Sequence, residues 1–480
     1  MRAWLESTLT RTERAMLGRN VSQPALFQMV ELERLVPPDH RLRKLDAVLD
    51  LSWVREAVVP CYSETRGRPS IDPELFLRML LLGRLYDLSD RELCSEIGMH
   101  AGMRWFCRLE LHDEVPDHST LSKLKEKWAE AGLFQEVFDR VVRQCSEAGL
   151  VSGRHISVDG TQVQALASMK SLSALGSKPD LPPPPDPEDD ARGPRVREPQ
   201  PKGGWSGHGV KYSNQTHRSR TDPEARLYRK SKGREARLSY LMHDLIDTKS
   251  RVVLRRRVSA AHSSAEREVA LEMLDEVLQQ QEALALRNRP EVLSADAGYG
   301  TGEFAADVLD RGVLAHMPLQ AAAAPEAIPT WKRRSRDLAQ QRQRRERVRR
   351  ARARNRVREA QQTRGYQVSR RLRIRSEHVF AEAKTQHGME RARQRGRARV
   401  QVQAELTGIV QNLKRLATFL GRRKAPAVQA AQPLPSASTS SGRSAPRLRR
   451  WSRCSAAALA HLRLRPTWHR RQNTHSSTAL

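Results

Sequence analysis

Two aspartates carry the first chemical signal in this 480-residue chain. Asp159 follows HISV and opens DGT; Asp296 follows VLSA and opens DAGYG. An Asp before a Gly is ordinarily a turn residue, because its carboxylate bonds the backbone just beyond it. Two such residues on neighbouring strand ends would mean more, since hard divalent cations take carboxylate oxygens as ligands. A third carboxylate would complete a two-cation site, and Glu377 is the candidate. In RRLRIRSEHVFAEAK, read as part of one helix over 370–387, Arg370, Arg373, Glu377 and Lys384 fall at offsets 0, 3, 7 and 14. At about 100° per residue they share a stripe roughly 60° wide. That face offers a carboxylate flanked by cations. It would also suit a solvated surface with an Arg373–Glu377 ion pair. Arg before Glu is the weaker order for such a pair, worth only about a few tenths of a kcal/mol, so stability is a poor reason for it.

The elements that must position these residues follow from the patterning. Residues 1–150 read as helical. Asp72 precedes the apolar stripe PELFLRMLLLGRLYDL, Ser89-Asp90 opens DRELCSEIG, MHAGMRWFCRL follows, and Ser119-Thr120 starts LSKLKEKWAEAGL. With Arg104, Lys123, Lys125 and Lys127 at the surface, these short helices would form a helix-turn-helix DNA-binding unit. A helical bundle for dimerisation fits the same pattern. From about residue 151 the period changes to that of strands: HISVDG, LSYLMHDLID, SRVVLRRRVSA, EVLSADAGYG and VLAHMPL. Amphipathic helices are expected at 265–284, after Thr301, at 370–387 and at 400–420. This alternation implies a mixed α/β layer fold, in which sites gather at the carboxyl ends of strands. A Pro/Gly-rich stretch at about 176–209, with PPPP at 182–185, lacks any usable period and reads as a flexible insertion.

Composition narrows the partner. Lys and Arg number 85 against 55 Asp and Glu, a formal charge of +30. Residues 331–360 hold 14 basic and 3 acidic residues, and 421–480 hold 12 basic and none acidic, so these two segments carry +23 of it. Such charge favours a polyanion, with nucleic acid foremost. The five cysteines include no CxxC pair, which disfavours structural zinc and suits a reducing compartment. No apolar run is long enough to span a membrane, and the amino end lacks a signal core, so a cytoplasmic protein is expected.

These words together resemble the DDE transposases of bacterial insertion sequences. The resemblance spans roughly residues 20–420 and rests on GRPSIDPELFLRMLLLGRLYDLSDREL, RWFCRL, DHSTLSKLKEKW, VDGTQVQALASMKS, ARLSYLMHD, ADAGYG and RSEHVFAEAK. Arg373, Glu377 and Lys384 keep the family's Y-x2-R-x3-E-x6-K spacing, with Arg370 where the family has Tyr and Tyr366 one turn earlier. The resemblance implies an RNase H-like mixed-sheet core preceded by an all-α, helix-turn-helix-like domain. It makes Asp159, Asp296 and Glu377 catalytic ligands of Mg2+, with Mn2+ as the alternative, and Arg370, Arg373 and Lys384 contacts to DNA. His243 is expected to be structural. The implied division is a DNA-binding or dimerisation domain at 1–150 and the first part of the core at 151–320, with 176–235 a flexible insertion. An Arg-rich insertion at 321–365, closing core helices at 366–420 and a disordered basic tail at 421–480 follow. The implied activity is binding of terminal inverted repeats with metal-dependent cleavage and transfer of double-stranded DNA, by a homodimer or larger synaptic assembly. A catalytically inactive DNA-binding descendant and a metal-dependent nuclease are the alternatives.

Overall fold

The computed structural model describes residues 31–62, 70–175, 212–229, 235–262, 264–320, 325–331 and 337–424. Its amino-terminal part is helical: α1 (Leu32–Leu35), α2 (Arg41–Asp46), α3 (Val54–Val58), α4 (Pro73–Leu85), α5 (Asp90–Met99), α6 (Ala101–Phe106), α7 (His118–Glu130) and α8 (Leu133–Glu147). The starts are where capping chemistry puts them. Asp72 accepts from the Glu74 and Leu75 N–H groups at 2.8 and 3.1 Å, with Pro73 in the first turn. Ser89 and Glu92 cap α5 reciprocally.

Helix α4 is buried from Phe76 through Leu85, so it is a core element rather than a surface one. The expected surface cations divide accordingly. Arg104 is buried and donates to the Gly98, Glu110 and Asp113 carbonyls, and Lys125 is ion-paired with Asp90. Lys123 and Lys127 remain exposed. Arg104 departs from the surface expectation because a guanidinium that satisfies three carbonyls can be buried, which composition does not reveal.

The strands are β1 (His155–Gln164), β2 (Leu172–Ala174), β3 (His217–Ser219), β4 (Arg226–Tyr228), β5 (Arg237–Asp247), β6 (Val253–Ala260), β7 (Val292–Ser294) and β8 (Leu314–His316). The main sheet runs β6-β5-β1-β7-β8, with β4 also beside β5 and β2–β3 forming a separate pair. β5 is antiparallel to β1 and β6, whereas β1, β7 and β8 are parallel. Helices α9 (Ala265–Gln279) and α10 (Gly302–Asp310) make the crossovers β6–α9–β7 and β7–α10–β8. With the helices that follow β8, this is the RNase H-like mixed α/β fold behind an all-α region.

Three expectations need correction. DGT is not a turn, and Asp159 is not at the end of its strand. β1 continues to Gln164 because β5 pairs with it along its whole length, Ile156↔Asp247 to Gln164↔Ser239. Pairing with β7, in contrast, stops at Ser157↔Ser294, and among the described residues that flank of β1 is open from Asp159 until Gln164 bridges to Arg391. The single helix over 370–387 is two, α12 (Arg364–Leu372) and α13 (Ile374–Gln386), with Arg373 in helical angles between them. Part of the flexible insertion is ordered, since 212–229 contributes β3 and β4, while 176–211 and 230–234 lie outside the described residues. The Arg-rich insertion contains α11 (Leu338–Gln361), and the tail from 425 lies outside the described residues.

The last helix, α14 (Arg397–Lys424), covers β6. Asn412 accepts from the Val253 N–H and donates to the Val253 carbonyl at 2.9 and 2.8 Å. Gln401 does the same for Val258 N–H and the Arg256 carbonyl. Two amides thus satisfy backbone groups that a sheet edge leaves unpaired. Gly408 lets α14 meet α8, because a Cβ there would lie 2.5 Å from the Phe138 ring. One apolar core consequently runs from the amino-terminal helices through β1, β6, β7 and α14.

Candidate active site

Asp159 and Asp296 each lie two residues beyond the last β1–β7 pair, Ser157↔Ser294, and the charge of Asp296 acts on the Asp159 carboxyl. Both carboxylates therefore stand at the end of that paired stretch. Asp296 caps the short helix Ala297–Tyr299, accepting from the Gly298 N–H at 2.8 Å. Asp159 accepts from the Gly160 N–H at 2.8 Å. Burial pushes the Asp159 carboxyl up to about 7. The Gly160 N–H and Arg373 oppose that rise, and the charges of Asp296 and Glu266 add to it.

Glu266, in the first turn of α9, is a further member that sequence reading missed. Burial and Asp296 raise its carboxyl, and Arg267 opposes them. Its Oε1 and His243 Nδ1 flank the space over Gly160, at 3.2 and 3.3 Å from where a Cβ would stand. Arg267 Nη1 donates to the Gly298 carbonyl at 3.3 Å, tying the start of α9 to the Asp296 turn. Beneath lies Tyr299, buried, with its hydroxyl lacking a hydrogen-bond partner. Burial holds that phenol well above its ordinary range, and Glu266, Asp159 and Asp296 reinforce the shift. Glu266 escaped notice because an acid in a first helical turn is also what the helix dipole favours.

On the other face of β1, α12 and α13 are anchored to the sheet. The Ser369 hydroxyl is hydrogen-bonded to His155 at 2.7 Å and His316 at 2.6 Å, and Tyr366 packs edge-on against His316. Burial lowers His316 to about 4, so it is neutral near pH 7. Lys384 donates to the Gln162 carbonyl at 2.8 Å, and Phe380 and Ala383 pack with Val163. Arg373 faces Asp159 electrostatically and lies 3.8 Å from Glu377. Glu377 is 57% exposed, and Arg370 is exposed.

Two family models match this chain in tandem. One, described as Transposase domain (DUF772), matches residues 30–127, and the other, Transposase DDE domain, matches residues 195–413. The chain belongs to the DDE-type transposases of insertion sequences. No solved structure matches it. The DDE match contains Asp296, Arg370, Arg373, Glu377 and Lys384 and begins after Asp159, whose place is given by the sheet.

The transposase fold therefore brings Asp159 within electrostatic reach of Asp296 and of Arg373, and leaves Glu377 on a neighbouring helix. Among the described residues, no three His, Cys, Asp or Glu side chains are close enough to hold one ion between them. His243 is buried, bonded through Nε2 to Ser259 at 2.8 Å and lowered to about 3, chiefly by burial. Asp244 is clamped by Arg256 through two 2.6 Å bonds. Among the described residues no helix is long and apolar enough to cross a membrane.

Proposed function

We propose that this transposase binds the terminal inverted repeats of its element and catalyses metal-dependent cleavage and strand transfer of double-stranded DNA. The observation that carries the reading is the Asp159–Asp296 pair just past the last β1–β7 rung, with the half-buried Asp159 raised chiefly by burial and further by the charge of Asp296. That donor set fits a hard cation with oxygen ligands, Mg2+ or Mn2+. Asp159 and Asp296 would hold it from the sheet edge and Glu377 from α13. When bound, the cation would lower the pKa of the attacking water or 3′-hydroxyl and stabilise the leaving oxygen.

The chain's own cations would do the positioning. Arg373, beside Asp159, would draw a phosphate oxygen toward the carboxylate edge, and Arg370 would contact the backbone next to it. Lys384 would reach a phosphate by exchanging its bond to the Gln162 carbonyl. Until then it holds α13 against β1. Residues 1–150 would bind the repeat or dimerise, and 151–320 with 366–420 would form the catalytic core. The basic residues of 321–365 and 421–480 would make salt-dependent phosphate contacts. Synapsis of two ends calls for a homodimer or larger assembly, acting in the cytoplasm. A second reading, a DNA-binding protein without catalysis, draws on the exposed position of Glu377 and on Arg370 at the family's Tyr position.

The test uses the full chain, a duplex carrying one element end with flanking DNA, and a target plasmid. With Mg2+ or Mn2+ the repeat boundary should be cut to a 3′-hydroxyl and joined to target, and chelator should stop both. Cutting without joining would leave a nuclease. Binding without cation-dependent cutting would leave the non-catalytic reading.

A further inference from the structure

We infer that Glu266 is a cation-ligating residue of this site, reaching it from the α9 face of β1 while Glu377 reaches it from the α13 face. The inference rests on the reading of Asp159 and Asp296 as cation ligands and adds a residue that the family's triad does not contain.

Alternation along β1 separates the two faces. Asp159 shares its face with Thr161 and with Val163, which packs on α13. Gly160 turns to the opposite face with Val158. There a Cβ would meet Glu266 Oε1 at 3.2 Å, so the absence of a side chain at Gly160 is what admits the carboxylate against the strand, one residue from Asp159. The Arg267–Gly298 bond fixes the same helical turn to the loop that carries Asp296. The helix dipole favours an acid in this turn without any burial, as at Glu268, which is exposed. Glu266 is instead partly buried among acids, and its neighbouring Arg267 is engaged with a carbonyl.

Tyr299 supplies the independent sign of a ligand. Its hydroxyl is buried without a hydrogen-bond partner although three carboxylates lie within its electrostatic reach. A buried donor left unmade costs about 1–3 kcal/mol. Carboxylates drawn inward onto a cation would bring an oxygen to that hydroxyl. His243 Nδ1, also buried and unpartnered, faces the same space over Gly160.

The experiment is Mn2+ titration of the full-length protein without DNA, followed by electron paramagnetic resonance, for the parent and for Glu266→Gln, Gly160→Ala, Glu268→Gln and Asp159→Asn. Thermal melting without metal shows that each variant is folded. Glu266→Gln should raise the Mn2+ dissociation constant roughly ten- to a hundredfold. Gly160→Ala, which displaces the Glu266 carboxylate and leaves its charge intact, should raise it severalfold, and Glu268→Gln should leave it unchanged. Should Glu266→Gln fail to fold, Gly160→Ala decides. Parental binding in Glu266→Gln and Gly160→Ala, with Asp159→Asn weakened, overturns the inference and leaves the triad. Parental binding in Asp159→Asn as well overturns the reading of the whole site.

Discussion

Asp159 and Asp244 are register partners on β1 and β5, so their side chains leave the sheet on one face. Asp244 is held by Arg256, which also donates to the Ala404 carbonyl and to Gln411 of α14. Asp159 has its own neighbour's N–H, two further acids and Arg373 at longer range. The interior of the sheet thus neutralises its acid, while the open flank past the end of β7 concentrates acids. A carboxylate that the fold satisfies is structural; on the proposed reading, the one left among like charges would take a cation from outside the chain. The same contrast separates charge from chemistry in α11. Arg349 pairs with Asp307 and Asp310, Arg350 with Glu303, and Arg354 with Glu326, so much of that basic run is neutralised within the fold.

The largest stability effect should come from breaking the satisfied side of the comparison. Arg256→Met leaves Asp244 buried without its partner and should cost about 3–5 kcal/mol in denaturant unfolding. Asp159→Asn should do the reverse at pH 8 without divalent cations, stabilising by on the order of 1–3 kcal/mol because it removes a charge the fold disfavours. Destabilisation of similar size in both variants would erase the distinction.

The pH dependence sharpens it. Asp159 and Glu405 are both raised to about 7, chiefly by burial. A carboxyl with a raised folded value stays protonated where the unfolded chain has already ionised. Its stabilisation is therefore complete below the unfolded value and is lost as pH rises through the folded one. Without divalent cations, the contributions of Asp159 and Glu405 should be lost from about pH 4.5 to 7.5, read as the melting difference between the parent and Asp159→Asn or Glu405→Gln, because the lowered His243 and His316 act in the opposite sense in every one of these proteins. Mg2+ should recover the Asp159 share, and Glu405→Gln should remove the other share with or without Mg2+. A Mg2+ response that vanishes in Glu405→Gln would contradict this assignment. The smallest effect is Ser369→Ala, expected to cost about 1 kcal/mol by removing the hydroxyl shared by His155 and His316.

Much of the fold was legible because its signals are local. Caps at Asp72, Ser89 and Thr301 and the alternation of Ile156 and Val158 in β1 set element types without reference to the rest of the chain. The strand-end reading of Asp159 failed for a non-local reason: DGT has turn chemistry, and only pairing with β5 shows that the strand continues. Asp296 and the Arg373–Glu377–Lys384 spacing were readable because they lie in contiguous words. Glu266 was not, since its place depends on a glycine side-chain vacancy 106 positions away, at Gly160. The buried Tyr299 hydroxyl and the edge-covering Asn412 likewise acquire meaning only from residues distant in sequence.

The most direct test of the central claim is single-turnover cleavage of an element-end duplex in Mg2+ by the full-length parent and by Asp159→Asn, Asp296→Asn and Glu377→Gln. Cleavage should be lost in all three while binding of the same duplex persists. If Asp159→Asn or Asp296→Asn cuts as fast as the parent, the open flank of β1 is not the catalytic edge.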